Sequence, residues 1–356
     1  MKNLLILFGI AALFIGMFAG AIYLGSQMNP VREASEDIVR AEDLPILGTM
    51  PDIEGIAGWI NSDELTQSDL EGKVVLIDFW TYSCINCIRT FPYITEWWSK
   101  YQEEDFVIIG VHTPEFEFEK KYDNVVEATV KHGIEFPVAL DNDYVTWRNF
   151  SNHYWPAKYI FDQQGNLRYT HFGEGAYDET EGVIQALLGV SMDLTEAEFP
   201  DFANIRSPET YFGYWRTENF ASNENLVEDV PTTYSLPEAL SLNEWALLGE
   251  WNIQYQHAEA IGAGAKFQFH YSASVANLVM ATSDGTLQDV IVRLDGEVVP
   301  TESLGTHIMK DELTGGTFVQ VEFSDLYELI RSEPGEHILE IETLEPGLEI
   351  YAITFG

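Results

Sequence analysis

The stretch VVLIDFWTYSCINCIRTFP, residues 74–92, contains the features that decide the fold. Its first seven residues, Val74–Trp80, form a nearly unbroken apolar run, which is typical of a strand buried on both faces of a sheet. The apolar spacing that follows predicts a helix over residues 85–101. The chain has only two cysteines, Cys84 and Cys87, and both lie where the strand passes into this helix. We therefore expect the fold to present the pair at a strand–helix junction.

The spacing of the two cysteines favours a redox-active dithiol over two unrelated buried thiols. A helix N-terminus offers free N–H groups and a positive dipole end, so we expect a lowered pKa for Cys84, which would be the attacking thiolate. Cys87 lies one turn later on the same face and would resolve the mixed disulfide. No second cysteine pair or His-x-x-x-His motif completes a four-ligand zinc site, and we expect neither a metal nor a cofactor.

Other residues of the chain fit the same chemistry. Asp78 lies in the buried strand, where burial raises a carboxyl pKa, and it could take a proton from Cys87 through a water; the alternative is a hydrogen-bonded core aspartate. Pro92 lies inside the predicted helix and should kink it. A cis Trp155–Pro156 bond would turn the Trp155 backbone toward the sulfurs, where it could pair with an incoming peptide. The alternative is an ordinary trans loop proline.

Apolar runs alternate with helical patterns from residue 45 to residue 190. This alternation predicts an α/β domain whose sheet is covered by helices on both faces, and a late hairpin makes the sheet mixed. The further predicted strands are residues 106–111, 136–140, 158–161 and 167–172, and the further helices are residues 115–132, 144–150 and 179–188. His112 and His153 could line a cleft beside the thiols, although a structural role is the ordinary expectation for a histidine.

The N-terminal segment predicts export. Residues 4–24 are almost uniformly apolar, and a helix of about 20 residues spans a bilayer. We therefore assign residues 1–25 to a membrane anchor, with a cleaved signal peptide as the alternative, and place the remainder outside the cytoplasm. Residues 26–44 are polar and predict a linker. The formal net charge of −40 excludes nucleic acid as a partner, because phosphate binding needs a basic face.

The C-terminal part loses the helical patterns. Residues 191–208 predict a second linker, and residues 209–356 predict an all-β jelly-roll sandwich, because short alternating runs are separated by turn signals. Two of these turn signals are Asp295-Gly296 and Pro334-Gly335. The predicted strands cover residues 266–273, 290–294, 317–323, 337–342 and 349–355.

The motifs around the cysteine pair resemble thioredoxin, through Asp78-Phe79-Trp80 before the pair, Pro92 after it and Pro156 before a hairpin. They are more similar still to the soluble C-terminal part of DipZ-type proteins, which are thiol-disulfide oxidoreductases linked to cytochrome c biogenesis. The segments that carry this closer resemblance are Lys73–Pro92, Gly110–Phe116, Asp141–Tyr144 and Tyr154–Ala157.

The resemblance implies a TlpA-like thioredoxin fold, with a mixed sheet flanked by helices, over about residues 55–190. Full DipZ proteins carry a multi-helix membrane electron conduit before this part, whereas one anchor is predicted here, so a separate membrane protein would supply electrons. The dipeptide Ile85-Asn86 differs from the Gly-Pro of thioredoxin, which leaves the redox direction open. The resemblance implies Cys84 and Cys87 as the active pair and, as supporting residues, Asp78, Trp80, Trp155 and Pro156 as the cis-proline.

The resemblance extends into residues 209–356, where it implies a carbohydrate-binding-like jelly roll. Aromatic side chains are the usual platforms for sugars, although most aromatics in a sandwich belong to its core. Docking of a protein substrate is the alternative use of this surface. The candidates for stacking on sugars are Trp215, Trp245, Trp251 and Tyr255.

Three hypotheses for the whole chain follow. The first is a membrane-tethered thiol-disulfide oxidoreductase that acts on the thiols and disulfides of exported proteins, with a role in cytochrome c maturation. The second is a thiol peroxidase, because Thr81-x-x-Cys84 is a spacing that such enzymes use to hold a peroxide. Against it, Ile77 stands where those enzymes have a proline. The third is a surface carbohydrate-binding protein whose first domain is a redox-inactive support.

Overall fold

The computed structural model describes residues 40–196 and 205–356. The described residues from Ala41 onward form one compact unit. The predicted anchor and most of the first linker lie outside the described residues, as do residues 197–204 of the second linker. Among the helices of the described residues, none combines the length and the apolar character needed to cross a membrane.

The first part of the described chain is an α/β domain built on one mixed sheet. Its strands follow the order β1-β7-β6-β3-β4-β5-β2 across the sheet. In chain order they are Gly48–Thr49 (β1), Trp59–Ile60 (β2), Val74–Trp80 (β3), Phe106–His112 (β4), Val138–Leu140 (β5), Ala157–Phe161 (β6) and Asn166–Phe172 (β7).

β3 lies in the middle of this sheet because its side chains are apolar except for that of Asp78, which faces Lys158. It runs parallel to β4 and antiparallel to β6, and all of its residues are buried. β6 and β7 form the predicted antiparallel hairpin. The mixed α/β sheet that the sequence predicted is therefore confirmed, and its central strand points directly at the cysteine pair.

Helices connect the strands of the α/β domain. The helix predicted over residues 85–101 is in fact two helices separated by a two-residue turn. Pro92 stands in the first turn of the second one, where its missing N–H has no helical partner to lose, so it starts a helix instead of kinking one. The helices are Gln67–Leu70 (α1), Ile85–Ile88 (α2), Phe91–Tyr101 (α3), Tyr122–Lys131 (α4), Val145–Asn149 (α5) and Tyr177–Leu188 (α6).

The second part is a β domain in which all the recorded pairings between named strands are antiparallel. Its strands join into one large sheet of order β15-β16-β13-β17-β12-β10-β11-β18-β8, with β9 on β10 and β14 on β13. They are Thr210–Tyr211 (β8), Thr232–Tyr234 (β9), Trp245–Ile253 (β10), Ala258–Ala260 (β11), Lys266–Thr282 (β12), Gln288–Leu294 (β13), Glu297–Val298 (β14), Ile308–Lys310 (β15), Thr317–Val321 (β16), Asp325–Thr343 (β17) and Leu348–Phe355 (β18).

One continuous apolar cluster fills the β domain and includes residues from most of its strands. The long strands β12 and β17 pair with each other along most of their length, and β12 pairs with β18 as well. The all-β prediction is confirmed, while the finer jelly-roll arrangement stays a prediction.

One of the two predicted turns in the β domain is wrong. Asp295-Gly296 is a turn between β13 and β14, with φ values of 55° and 81°. Pro334-Gly335, however, lies inside β17. Ala273 pairs with Gly335 and Val275 pairs with Arg331, so the residues between them bulge out of the ladder. A bulge tolerates a proline because the extra residues need no ladder hydrogen bond.

Candidate active site

The two cysteines lie where β3 ends and α2 begins. Cys84 is the N-cap of α2 and has extended backbone angles, and its Sγ accepts a hydrogen bond from the backbone N–H of Cys87 at 3.2 Å. The Cys87 thiol points at the same sulfur, at a Sγ–Sγ distance of 2.7 Å. Both cysteines are free. The bonded distance in a disulfide is about 2.05 Å, so closing one here needs little backbone movement.

The two thiols differ in accessibility. Cys84 is partly exposed, whereas Cys87 has no exposed surface. An incoming disulfide or thiol can therefore reach the Cys84 sulfur first, and the Cys87 sulfur is reached only through Cys84.

The expected lowering of the Cys84 pKa is wrong for this structure. Surrounding protein raises the pKa of the Cys84 thiol well above its ordinary value, with further contributions in the same direction from Cys87 and from the charge of Glu209. The N–H of Cys87 opposes this rise. α2 has only four residues, so few peptide dipoles add up at its N-terminus. The sequence pattern showed a helix start but not how short the helix is.

Asp78 is fully buried in β3, as predicted, and it has a partner that the sequence analysis missed. The Nζ of Lys158 lies 3.5 Å from Asp78 Oδ1, because β6 pairs with β3 and sets these two residues opposite each other. Burial raises the pKa of Asp78 to about 6, and the positive charge of Lys158 opposes this rise. A lysine inside the otherwise apolar run of β6 was the one local signal that could have revealed this pair.

A second buried carboxylate, Glu119, also escaped the sequence analysis. It accepts a hydrogen bond from the hydroxyl of Ser83, the residue before Cys84, at 2.6 Å, and a longer one from the Ser83 backbone N–H. Burial raises the pKa of Glu119 to about 6, against the opposing effect of the Ser83 hydrogen bond. The turn that carries Cys84 is therefore held by a carboxylate from another part of the chain.

Aromatic rings pack behind the cysteine turn. Trp80 is fully buried and meets the rings of His112 and Phe91 edge-on, at centroid distances of 4.9 and 5.2 Å. Burial lowers the pKa of His112 to about 3, so this imidazole is neutral. His153, in contrast, is exposed. His112 has the character of a structural histidine, and Trp80 packs against Phe91, the first residue of α3.

The predicted cis bond is present between Trp155 and Pro156. The indole N–H of Trp155 donates to the carbonyl of Thr113 at 3.1 Å, and its ring lies 4.3 Å from the ring of Trp147, centroid to centroid. Pro156 is buried and its carbonyl accepts the N–H of Gly173. These contacts fix the segment in front of β6.

The β domain contacts the α/β domain next to the cysteine pair. Arg89, which follows α2, donates to the carbonyl of Phe355 at 3.0 Å and to the carboxylate of Glu174 at 3.3 Å. A second contact joins the carboxylate of Glu115 to the hydroxyl of Tyr211 at 2.9 Å. The dithiol therefore lies close to the seam between the two domains.

The four aromatic residues considered for sugar stacking divide into two pairs. Trp245 and Trp251 are fully buried in the core of the β domain, so their assignment as sugar platforms is wrong. Alternating strand positions face inward, and both tryptophans occupy such positions in β10. Trp215 and Tyr255 are about half exposed and stack on each other at 5.3 Å.

A central strand that delivers two cysteines to a helix start, with a buried carboxylate in that strand and a cis-proline before a later strand, defines the thioredoxin class of folds. Comparisons with known proteins agree. Residues 48–170 match the AhpC/TSA family, and residues 207–356 match the family described as thioredoxin like C-terminal domain.

The chain is 36% identical over 127 residues to the thiol-disulfide oxidoreductase YkuV of Bacillus subtilis, covering 83% of that protein and 35% of this chain. It belongs to the thioredoxin-like thiol-disulfide oxidoreductases. It is also 40% identical over 327 residues to the DipZ proteins of Mycobacterium bovis and Mycobacterium tuberculosis, which is 89% of this chain. The chain spans 44% of the length of those DipZ proteins. The DipZ resemblance that the motifs indicated is therefore confirmed.

Proposed function

We propose that the protein exchanges disulfides with exported proteins through Cys84 and Cys87. The observation that carries this proposal is the pair of sulfurs 2.7 Å apart, in which Cys84 is partly exposed and Cys87 is fully buried. Cys84 is assigned as the nucleophile because it is the partly exposed cysteine of the pair, and Cys87 is assigned as the resolving thiol because it is fully buried.

The proposed cycle transfers two electrons to the client. The Cys84 thiolate attacks one sulfur of a client disulfide, forms a mixed disulfide and releases the first client thiolate. The Cys87 thiolate then attacks the Cys84 sulfur, which forms the Cys84–Cys87 disulfide and releases the second client thiolate. Asp78 accepts the Cys87 proton through a water, and its burial and raised pKa support this role.

Two further groups are proposed to hold the client. The backbone of Trp155, before Pro156, pairs with the extended client chain, and the partly exposed Trp155 ring forms one edge of the binding site. Trp80 supports the cysteine turn from below, which its complete burial favours.

The proposal places the protein at a membrane, with both domains outside the cytoplasm. The apolar run of residues 4–24 supports it, because about 20 such residues suffice to span a bilayer. A separate membrane protein then returns electrons to the Cys84–Cys87 disulfide, and the resemblance to DipZ-type proteins adds cytochrome c maturation as the process served. Alkaline extraction of membranes, followed by detection of the full-length chain, tests the anchor.

Reduction of insulin by dithiothreitol tests the central proposal. We expect Cys84→Ser to abolish the acceleration of insulin precipitation, and Cys87→Ser to accumulate a mixed disulfide that a non-reducing gel detects. Full turnover by the Cys84→Ser variant would show that another group carries the activity. Asp123→Asn, a change on the exposed surface, is the control.

A second candidate function is peroxide reduction, which the match of residues 48–170 to the AhpC/TSA family favours. The Thr81 hydroxyl, however, lies 3.4 Å from Nε2 of His112, in a fully buried position. Stopped-flow measurement of peroxide consumption by the reduced protein separates the two functions, since a peroxidase reacts quickly and a disulfide reductase does not.

Carbohydrate binding by the β domain is a third candidate, and the exposed Trp215–Tyr255 pair is the observation that favours it. A glycan array probed with the whole protein tests this function. Binding that is lost in Trp215→Ala would support it.

A further inference from the structure

Glu119 is a fully buried carboxylate to which the proposed chemistry assigns no part. Its Oε1 accepts the hydroxyl of Ser83 at 2.6 Å and the backbone N–H of Ser83 at 3.3 Å. Its Oε2 accepts the backbone N–H groups of Glu115 at 2.5 Å and of Phe116 at 2.9 Å. One side chain thus ties two separate chain segments together.

Glu119 caps the short helix in which it lies, but this role explains only half of the hydrogen bonds that it accepts. Glu119 is the third residue of the 3-10 helix Glu117–Lys120, and from there it reaches back to the N–H of Phe116, as capping residues do. Ser83 lies 36 residues away in the chain, and its two bonds to Glu119 give nothing to that helix. They hold the residue that precedes Cys84.

The other segment tied by Glu119 carries a contact with the β domain. The side chain of Glu115 accepts a hydrogen bond from Tyr211 at 2.9 Å and forms an ion pair with Arg216. The ring of Phe116 packs against Tyr351 at a centroid distance of 5.1 Å. The two residues whose N–H groups bind Glu119 therefore touch the β domain with their side chains.

We propose that Glu119 is a positioning residue for Cys84 and that it couples the reactivity of this thiol to the docking of the β domain. The inference rests on the proposed disulfide exchange and adds a device that regulates it. Docking of the β domain holds Glu115 and Phe116 in place, and Glu119 links these two residues to Ser83. Ser83 in turn fixes the turn in which the Cys84 sulfur accepts a hydrogen bond from the N–H of Cys87. Coupling through such a chain of hydrogen bonds must appear as non-additive effects of mutations along it.

The change Glu119→Gln keeps the size of the side chain but replaces one acceptor oxygen by a donor NH2 group. The remaining oxygen of the glutamine can accept the hydrogen bonds of Ser83 or those of Glu115 and Phe116, but not both sets. Without its bonds to Glu119, the turn holds the Cys87 N–H less firmly against the Cys84 sulfur. The pKa of the Cys84 thiol then rises further, because that N–H lowers it. We expect alkylation of Cys84 by iodoacetamide at fixed pH to slow by about tenfold, as for loss of one charge-assisted hydrogen bond.

A double-mutant cycle separates positioning from coupling. Arg216→Met removes one contact of Glu115 with the β domain and is expected to slow Cys84 alkylation by about threefold in the otherwise unchanged protein. In the Glu119→Gln background the same change should have no effect. Glu117→Gln, on the exposed side of the same short helix, is the matched control and should match the parent protein.

The equilibrium of the dithiol with glutathione provides a second readout. We expect Glu119→Gln to shift this equilibrium about tenfold toward the disulfide, because the weakened N–H contact stabilises the reduced form less; the shift corresponds to about 30 mV for a two-electron couple. Unchanged alkylation and unchanged equilibrium in this variant would overturn the positioning role. An equal effect of Arg216→Met in both backgrounds would overturn the coupling.

Ser83→Ala keeps the inference testable if the Glu119 variant fails to fold. It removes one of the four hydrogen bonds and should slow alkylation by about threefold; parent-like rates in this variant would contradict the positioning role. Both readouts use only small thiol reagents. They stay informative if insulin reduction fails, so a failure of the proposed function and a failure of this inference are distinguishable.

Discussion

Cys84 and Cys87 share one turn of chain but have different surroundings. The raised pKa of Cys84 bears on the direction of electron flow. A strongly oxidising pair keeps its attacking cysteine as a stable thiolate of low pKa, and this stabilises its reduced form. Burial does the reverse here, so the dithiol form lacks that stabilisation and the pair should act as a reductant.

The reduction potential of the pair tests this conclusion at the residue scale. We expect a value nearer to that of thioredoxin, about −270 mV, than to that of DsbA, about −120 mV. Equilibration with dithiothreitol and quantification of the two forms by thiol alkylation give the potential. A value near the DsbA end would contradict the expected direction.

Asp78 should impose a pH dependence on the resolving step. Only its carboxylate accepts a proton, and its pKa is raised to about 6, so the step should speed up as the pH rises through about 6. Asp78→Asn should remove this inflection and slow the step by about a hundredfold. Single-turnover reaction with a fluorescent disulfide peptide at pH 4–9 measures it, with Asp123→Asn as the control. A retained inflection would exclude Asp78 as the acceptor.

The buried partner of Asp78 gives a companion prediction. The positive charge of Lys158 lowers the pKa of Asp78, so its removal in Lys158→Met should move the inflection to higher pH. The same pH series measures it. An inflection that does not move would mean that the two charges are not coupled.

The sequence revealed some residues of this site and not others for a physical reason. The burial of Asp78 could be predicted because its neighbours in the strand are apolar. Lys158 and Glu119 could not be placed, because their partners lie 80 and 36 residues away in the chain. A local pattern reports which face a residue occupies, but strand pairing decides what stands opposite it.

At the scale of helices and strands, alternating polar and apolar residues and apolar runs predicted most strands. The points where a helix or strand ends or is interrupted were less predictable. Pro92 and Pro334 show why. The first starts a helix and the second lies in a bulge within β17. At both positions proline has no backbone N–H to donate. The surrounding chain decides whether the helix or strand ends there, begins there or bulges.

Gly110 offers a test of packing at this scale. It lies in β4 beside Asp78, and a Cβ there would meet Nε1 of Trp80 at 2.8 Å and a ring carbon of Phe136 at 2.9 Å. Both rings are fully buried and cannot retreat. Gly110→Ala should lower the free energy of unfolding by about 1–3 kcal/mol, measured by urea denaturation. Gly48→Ala is the control, because a Cβ at Gly48 would meet no atom within 4 Å. Gly165→Ala is unsuitable as a control, because the φ of Gly165 is positive.

The charge of the whole molecule should select among clients. With 58 acidic and 18 basic residues, the protein repels anionic peptides and attracts cationic ones over distances of about a Debye length. We expect kcat/KM for a disulfide peptide flanked by lysines to exceed that for its glutamate-flanked counterpart, with the gap closing as salt is added. A glutamine-flanked peptide is the control. A gap that persists in high salt would indicate specific contacts instead of the general field.

The neighbouring indole rings of Trp147 and Trp155 have an optical consequence. Two chromophores 4.3 Å apart exchange excitation, so their transitions split and give a paired signal of opposite signs in circular dichroism. Trp155 also adjoins Pro156, where the client chain is proposed to bind. A bound client that tilts this ring would change the splitting, so circular dichroism would report client binding without an added dye.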